Sequence, residues 1–131
     1  MGTVTGWLAE GTEEWHGRRV ARSVEEAAPR SRAVLTGVVG DVAASYGREV
    51  MAPVGTVGRG AAFDACLDDG TGTIVLRWVG RDAVPGVHPG AMLRVEGTVS
   101  DLHGRLVLLN PLYRFELPNR DRRDQPGSSL S

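Results

Sequence analysis

Few residues in this chain could do chemistry, and their spacing narrows the options. His16, His88 and His103 lie far apart and away from Cys66, the only cysteine, so no zinc-type ligand set forms from neighbours. Gly55 to Gly60 (GTVGRG) is glycine-rich, but it matches neither phosphate-loop fingerprint and no helix follows it. No serine sits in a nucleophile elbow. Asp68 and Asp69 could form an acid/base pair or hold a metal; before Gly-Thr-Gly they read more simply as turn residues. Catalysis therefore has little support, and neither cofactor nor metal is expected. What remains is arginine interleaved with rings. Single-strand binders need cations for the phosphate backbone and exposed rings for the bases. Arg48, Arg59, Arg77, Arg81 and Arg105, with Tyr46, Trp78 and His103, are the residues that could supply both.

These side chains must be positioned by strands. Residues 32–43 (RAVLTGVVGDVA) are a β-branched run with Leu35, Gly37 and Val39 on one face. Residues 44–60 are glycine-rich and hold Pro53, which predicts a long loop or an irregular hairpin tip. Residues 61–68 alternate, with Phe63, Ala65 and Leu67 facing one way and Asp64, Cys66 and Asp68 the other. Asp69-Gly70-Thr71-Gly72 predicts a hairpin turn, since glycine supplies a positive φ. In the strand at 73–79, Ile74, Leu76 and Trp78 share one face, and Thr73, Val75, Arg77 and Val79 the other. Two prolines and three glycines in residues 80–90 argue against a regular helix there. A strand at 92–100 carries Leu93, Val95, Gly97 and Val99 on one face; after a turn, a fifth strand at 105–109 runs into Asn110-Pro111-Leu112-Tyr113.

The ends read differently. Residues 1–22 form an N-terminal extension, partly flexible, with a weak helical stripe entering at Val20, Val24, Ala27 and Ala28. Ser23 and Glu26 fit a capping box, and Pro29 stops any helix, so one helical turn is expected over 24–28. Residues 118–131 are polar and are expected to be a disordered tail. That leaves one domain at 23–117.

The chain has 131 residues, enough to bury a core without disulfides or a metal. Its eighteen glycines oppose long helices and suit short strands with tight turns. The net charge of −1 excludes a polybasic protein whose affinity comes from bulk charge, and a polybasic membrane anchor. No secretory signal or membrane-length apolar run is evident, and a lone thiol suits a reducing compartment, so a cytoplasmic location is expected.

Five short strands, with glycines inside the first and fourth, predict an all-β protein: a five-stranded OB-fold Greek-key barrel with a short helical lead-in. The order of Ser23-Val24, Pro29, Ala33 to Gly37, Asp69-Gly70-Thr71-Gly72 with the strand to Trp78, Pro89-Gly90, Arg94-Val95-Glu96-Gly97, and Asn110-Pro111 with Tyr113 resembles a family of small actinobacterial OB-fold proteins. It is also similar to the OB barrels of replication protein A and of the wedge domain in RecG-type helicases. The resemblance spans residues 23–117. It implies binding of single-stranded nucleic acid, DNA ahead of RNA, on the second and third strands, flanked by the loops after the first and fourth.

Each candidate also has a plainer reading. Arg77 is either a phosphate or base contact, or the cross-strand partner of Asp64 or Asp68. Trp78 has core parity, which makes it a cap at the barrel end unless a bulge swings the ring outward. Arg81 flanks the groove or pairs with Asp82. Tyr46, Arg48 and Arg59 could clamp a strand from a loop, and His103 and Arg105 could do so from the next. Over residues 32–117, nine acids outnumber eight arginines, against the net basic groove of a sequence-blind binder. Binding is therefore expected to be weak and salt-sensitive. The alternative is a module for a protein partner, with exposed Val75 in the contact.

Overall fold

The structure, a computed structural model, describes residues 7–46 and 60–116. The described elements are β1 (Glu14–Trp15), β2 (Arg18–Arg19), a 3-10 turn (Val24–Glu26), β3 (Arg32–Tyr46), β4 (Ala61–Asp68), β5 (Thr73–Val79), β6 (Met92–Leu102), β7 (Arg105–Leu109) and β8 (Leu112–Phe115). Strands β3, β4, β5, β7 and β6 pair in that order, and β3 pairs again with β6, which closes the barrel. The β5–β7 contact is parallel and the other barrel pairings are antiparallel. This is the five-stranded OB-fold barrel expected from the sequence.

The alternation read from the sequence sets the core. Leu35, Leu67, Leu76, Leu93 and Leu108 are fully buried inside the barrel, with Val39, Val95 and Val99. Residues 80–91 carry no helix; they fold as turns whose Val84 and Val87 are buried against the core. Gly37 lies where β3 crosses the end of β4, and a Cβ there would run into the Asp68 carbonyl. A close approach of two backbones is what a strand-interior glycine permits.

Five features differ from the sequence reading. Strand β3 runs to Tyr46 because Ala43 to Tyr46 still find partners in Asp64 to Ala61, beyond a register shift between Val39 and Val42. An eighth strand, β8, pairs with the Leu93–Glu96 stretch of β6. The helical lead-in is only a 3-10 turn over Val24–Glu26. Ser23 caps it as expected, but the Glu26 carboxylate accepts from the Arg22 N–H rather than closing a capping box on Ser23. Val20 belongs to no helical stripe: it is buried in the extended segment whose next residue, Ala21, bridges Ala33. Upstream, β1 and β2 form a two-residue hairpin through His16 and Gly17, both at positive φ, as the primed turn requires.

The DGTG turn organises this end of the barrel. The Asp69 carboxylate accepts from the Thr71 N–H at 2.9 Å, the Thr71 hydroxyl at 2.7 Å and the Gly72 N–H at 3.2 Å. Its other oxygen accepts from the Val24 N–H at 2.8 Å, tying the lead-in to the turn. Burial raises the Asp69 pKa, but these hydrogen bonds to the ionised form outweigh it, and the carboxyl sits below its ordinary range.

Candidate nucleic-acid interface

The outward face of β4 and β5 carries Asp64, Cys66 and Asp68 opposite Arg77, Val75 and Thr73, pair by pair. Arg77 is the residue of this face that the sequence offered either as a phosphate or base contact or as a cross-strand partner. Its Nε donates to Asp64 Oδ1 at 2.7 Å and a terminal nitrogen donates to Oδ2 at 2.7 Å. This is a fork-to-fork pair, with Arg77 16% and Asp64 27% exposed at the side chain. The Asp64 bond pushes the guanidinium pKa further up, against burial, so the group is permanently charged but matched by a carboxylate. Of the two readings open in the sequence, the cross-strand pair with Asp64 is the one formed.

On the β7 side of Arg77 the sheet is hollowed. Val75, Arg77, Leu102, His103, Arg105 and Val107 line a cleft of about 290 Å³. The parallel register brings Val75 beside Val107. The β6–β7 turn brings Leu102, His103 and Arg105: His103 and Gly104 take positive φ, and the Gly104 N–H donates to the Asp101 carboxylate at 2.8 Å. Three of the residues chosen from the sequence thus converge on one apolar-floored cleft with cationic walls.

The others do not join them. Trp78 is 5% exposed, its indole N–H donates to the Pro111 carbonyl at 3.2 Å, and Tyr113 meets it edge-on at 5.5 Å. No bulge turns the ring outward, so Trp78 is a core plug rather than a stacking platform. Tyr46 is 58% exposed at the last residue of β3, but by register it shares parity with Val42 and Ala44, the side opposite Asp64 and Arg77. Arg81 is exposed in the turn after β5. Arg48 and Arg59 lie outside the described residues.

Leu102 and Val107 were missed as cleft residues. Their signal was faint: an apolar side chain inside a predicted turn, and one valine in a run of aliphatics. The Asn110-Pro111-Leu112-Tyr113 element acquires a definite role here. Asn110, at φ 49°, donates its N–H to the Arg77 carbonyl at 2.6 Å and accepts from the Val79 N–H at 2.8 Å through its side chain. Those bonds finish the parallel β5–β7 pair that floors the cleft.

Among the described residues no group of three or more His, Cys, Asp or Glu is arranged to hold a metal ion. No described helix is long and apolar enough to cross a membrane.

No family model and no curated protein matches the chain. Among solved structures, a chain from a replication protein A heterotrimer bound to single-stranded DNA is similar at 19% identity and a TM-score of 0.46, over 69% of this chain. The match spans 61% of that chain's length.

Proposed function

We propose that this protein is a non-catalytic, cytoplasmic OB-fold module that binds single-stranded nucleic acid, DNA ahead of RNA, across the β5–β7 face. The observation that supports it is the cleft of Val75, Arg77, Leu102, His103, Arg105 and Val107. In this reading Arg105 meets the phosphate backbone, and His103, on a turn, flanks the strand. The apolar floor takes part of a base or sugar. The resemblance of residues 23–117 to small actinobacterial OB-fold proteins agrees with this use of the barrel. Affinity is weak and salt-sensitive, because Asp64 already neutralises Arg77.

Fluorescence anisotropy tests the reading, with labelled single-stranded DNA, single-stranded RNA and duplex DNA at two salt concentrations. Single-strand binding that weakens with salt, and weakens again in Arg105→Ala, supports it. No binding to any of the three at low salt, up to tens of micromolar protein, overturns it.

The same Arg77–Asp64 pair favours a second reading, a protein-interaction module. A neutralised cation beside the half-buried apolar side chains of Val75 and Leu102 suits a polypeptide better than a polyanion. Loss of all nucleic-acid binding with a partner retained after nuclease treatment is the outcome that selects it.

A further inference from the structure

The barrel face remote from the cleft carries a second cluster of cations. Arg94 on β6 and Arg114 on β8 are direct cross-strand partners, which sets two like charges side by side. Such pairing is unfavourable unless something compensates it. Part of the compensation is Trp7: the Arg114 guanidinium lies 5.1 Å and that of Arg94 6.0 Å from the ring centroid. Arg94 Nε is buried, and among the described residues it has no hydrogen-bond partner. A buried, charged N–H without an acceptor is costly, and buried donors are nearly always satisfied.

Both arginines line a cavity of about 190 Å³ with Trp7, Arg22 and two acids, Glu10 and Glu96. Glu96 is already committed. Its carboxylate accepts from Arg32 Nε at 2.9 Å and from the Leu8 N–H at 2.9 and 3.2 Å. Arg22 gives one terminal nitrogen to the Thr12 carbonyl at 2.7 Å, and Arg114 has Glu116 at 3.9 Å. With Glu96 committed, three arginines in the cavity wall face one remaining carboxylate, that of Glu10. The Arg94 and Arg114 guanidiniums in its wall are planar donor sets of the kind that match a tetrahedral oxyanion.

We propose that this cavity is an oxyanion site that takes a phosphate group, with Arg94 and Arg114 donating to its oxygens and Trp7 covering it. It is separate from the β5–β7 cleft and does not rest on the function assigned there. The phosphate can be free or the end of a nucleic-acid strand.

The test is a 15N NMR titration of the full chain with inorganic phosphate, against chloride at equal ionic strength. It follows the Arg94 and Arg114 Nε–Hε signals and the Trp7 indole signal. Saturable shifts of all three in phosphate alone, with the midpoint raised about tenfold or more in Arg94→Gln, support the site. Arg114→Gln, at a largely exposed side chain, gives the same result without disturbing a buried group. Arg105→Ala leaves this titration unchanged. A further arm compares a 5′-phosphorylated thymidine oligomer with its unphosphorylated twin. Tighter binding of the first assigns the site to a strand end; response to inorganic phosphate only assigns it to a free anion. Equal, unsaturating drifts in phosphate and chloride overturn the proposal.

Discussion

The Arg77 guanidinium grips the Asp64 carboxylate through two parallel bonds of 2.7 Å, straight across the β4–β5 pair. That relationship sets the electrostatics of the whole face, because it turns the central cation into half of a dipole. It also yields the first prediction. Asp64→Asn releases Arg77 toward a phosphate, so affinity for single-stranded DNA rises about threefold to tenfold, about 0.7–1.4 kcal/mol. The salt dependence steepens with it. Arg77→Ala does the reverse, weakening binding and flattening the salt slope. Anisotropy at several salt concentrations reads both. Unchanged affinity in both variants would remove β5 from the site.

Asp69 gives a pH prediction. Its pKa is lower in the folded chain than in the unfolded one, so the unfolded state binds the proton more readily. The contribution of Asp69 to stability is therefore fully present above the unfolded value. It is lost as pH falls through the folded one, in the acid range below about 4. Urea melts between pH 6 and pH 3 should show stability falling at the acid end. Asp69→Asn should lower stability at pH 6 and fall less steeply below pH 4. An identical acid slope in that variant would contradict the assignment.

Gly37 permits β3 to cross β4, since a Cβ would meet backbone that cannot rotate away. Gly37→Ala should cost about 1–3 kcal/mol in a denaturant melt, the range for overpacking. A neutral substitution would mean that the crossing can relax.

Glu96 is 1% exposed, yet it lies on the outward face of β6, where alternation predicts a solvated residue. The segment around Leu8 covers it, and its two oxygens hold the Leu8 N–H and Arg32. Glu96→Ala removes the buried partner of Arg32 and should cost about 3–5 kcal/mol. Limited proteolysis should then cut within residues 7–12 sooner than in the wild type.

Much of the barrel was legible because alternation is a local signal. Phe63, Ala65 and Leu67, or Ile74, Leu76 and Trp78, face inward in register as spacing alone requires. What was not legible depended on long-range coverage. Nothing local to Glu96 announces that Leu8, far away in the chain, will bury it. The β1–β2 hairpin had one cue, the His16-Gly17 pair, among many glycines. The site divided in the same way. The cleft positions of His103 and Arg105 were legible because a turn exposes its residues. Arg94 and Arg114 escaped because their juxtaposition depends on β8 pairing with β6, and Leu112–Phe115 read as the end of the fifth strand, not as a strand of its own. For Arg77, the choice between a phosphate and Asp64 needed the pair that the fold forms.

The most direct test of the central claim is an amide chemical-shift map of the 15N-labelled chain titrated with a short thymidine oligomer at low salt. The account predicts saturable shifts at Val75 and Arg77 on β5, at Leu102 to Arg105 in the β6–β7 turn, and at Val107 on β7. Absence of saturable shifts in those segments, or shifts confined to β8 and the N-terminal segment around Trp7, would contradict it.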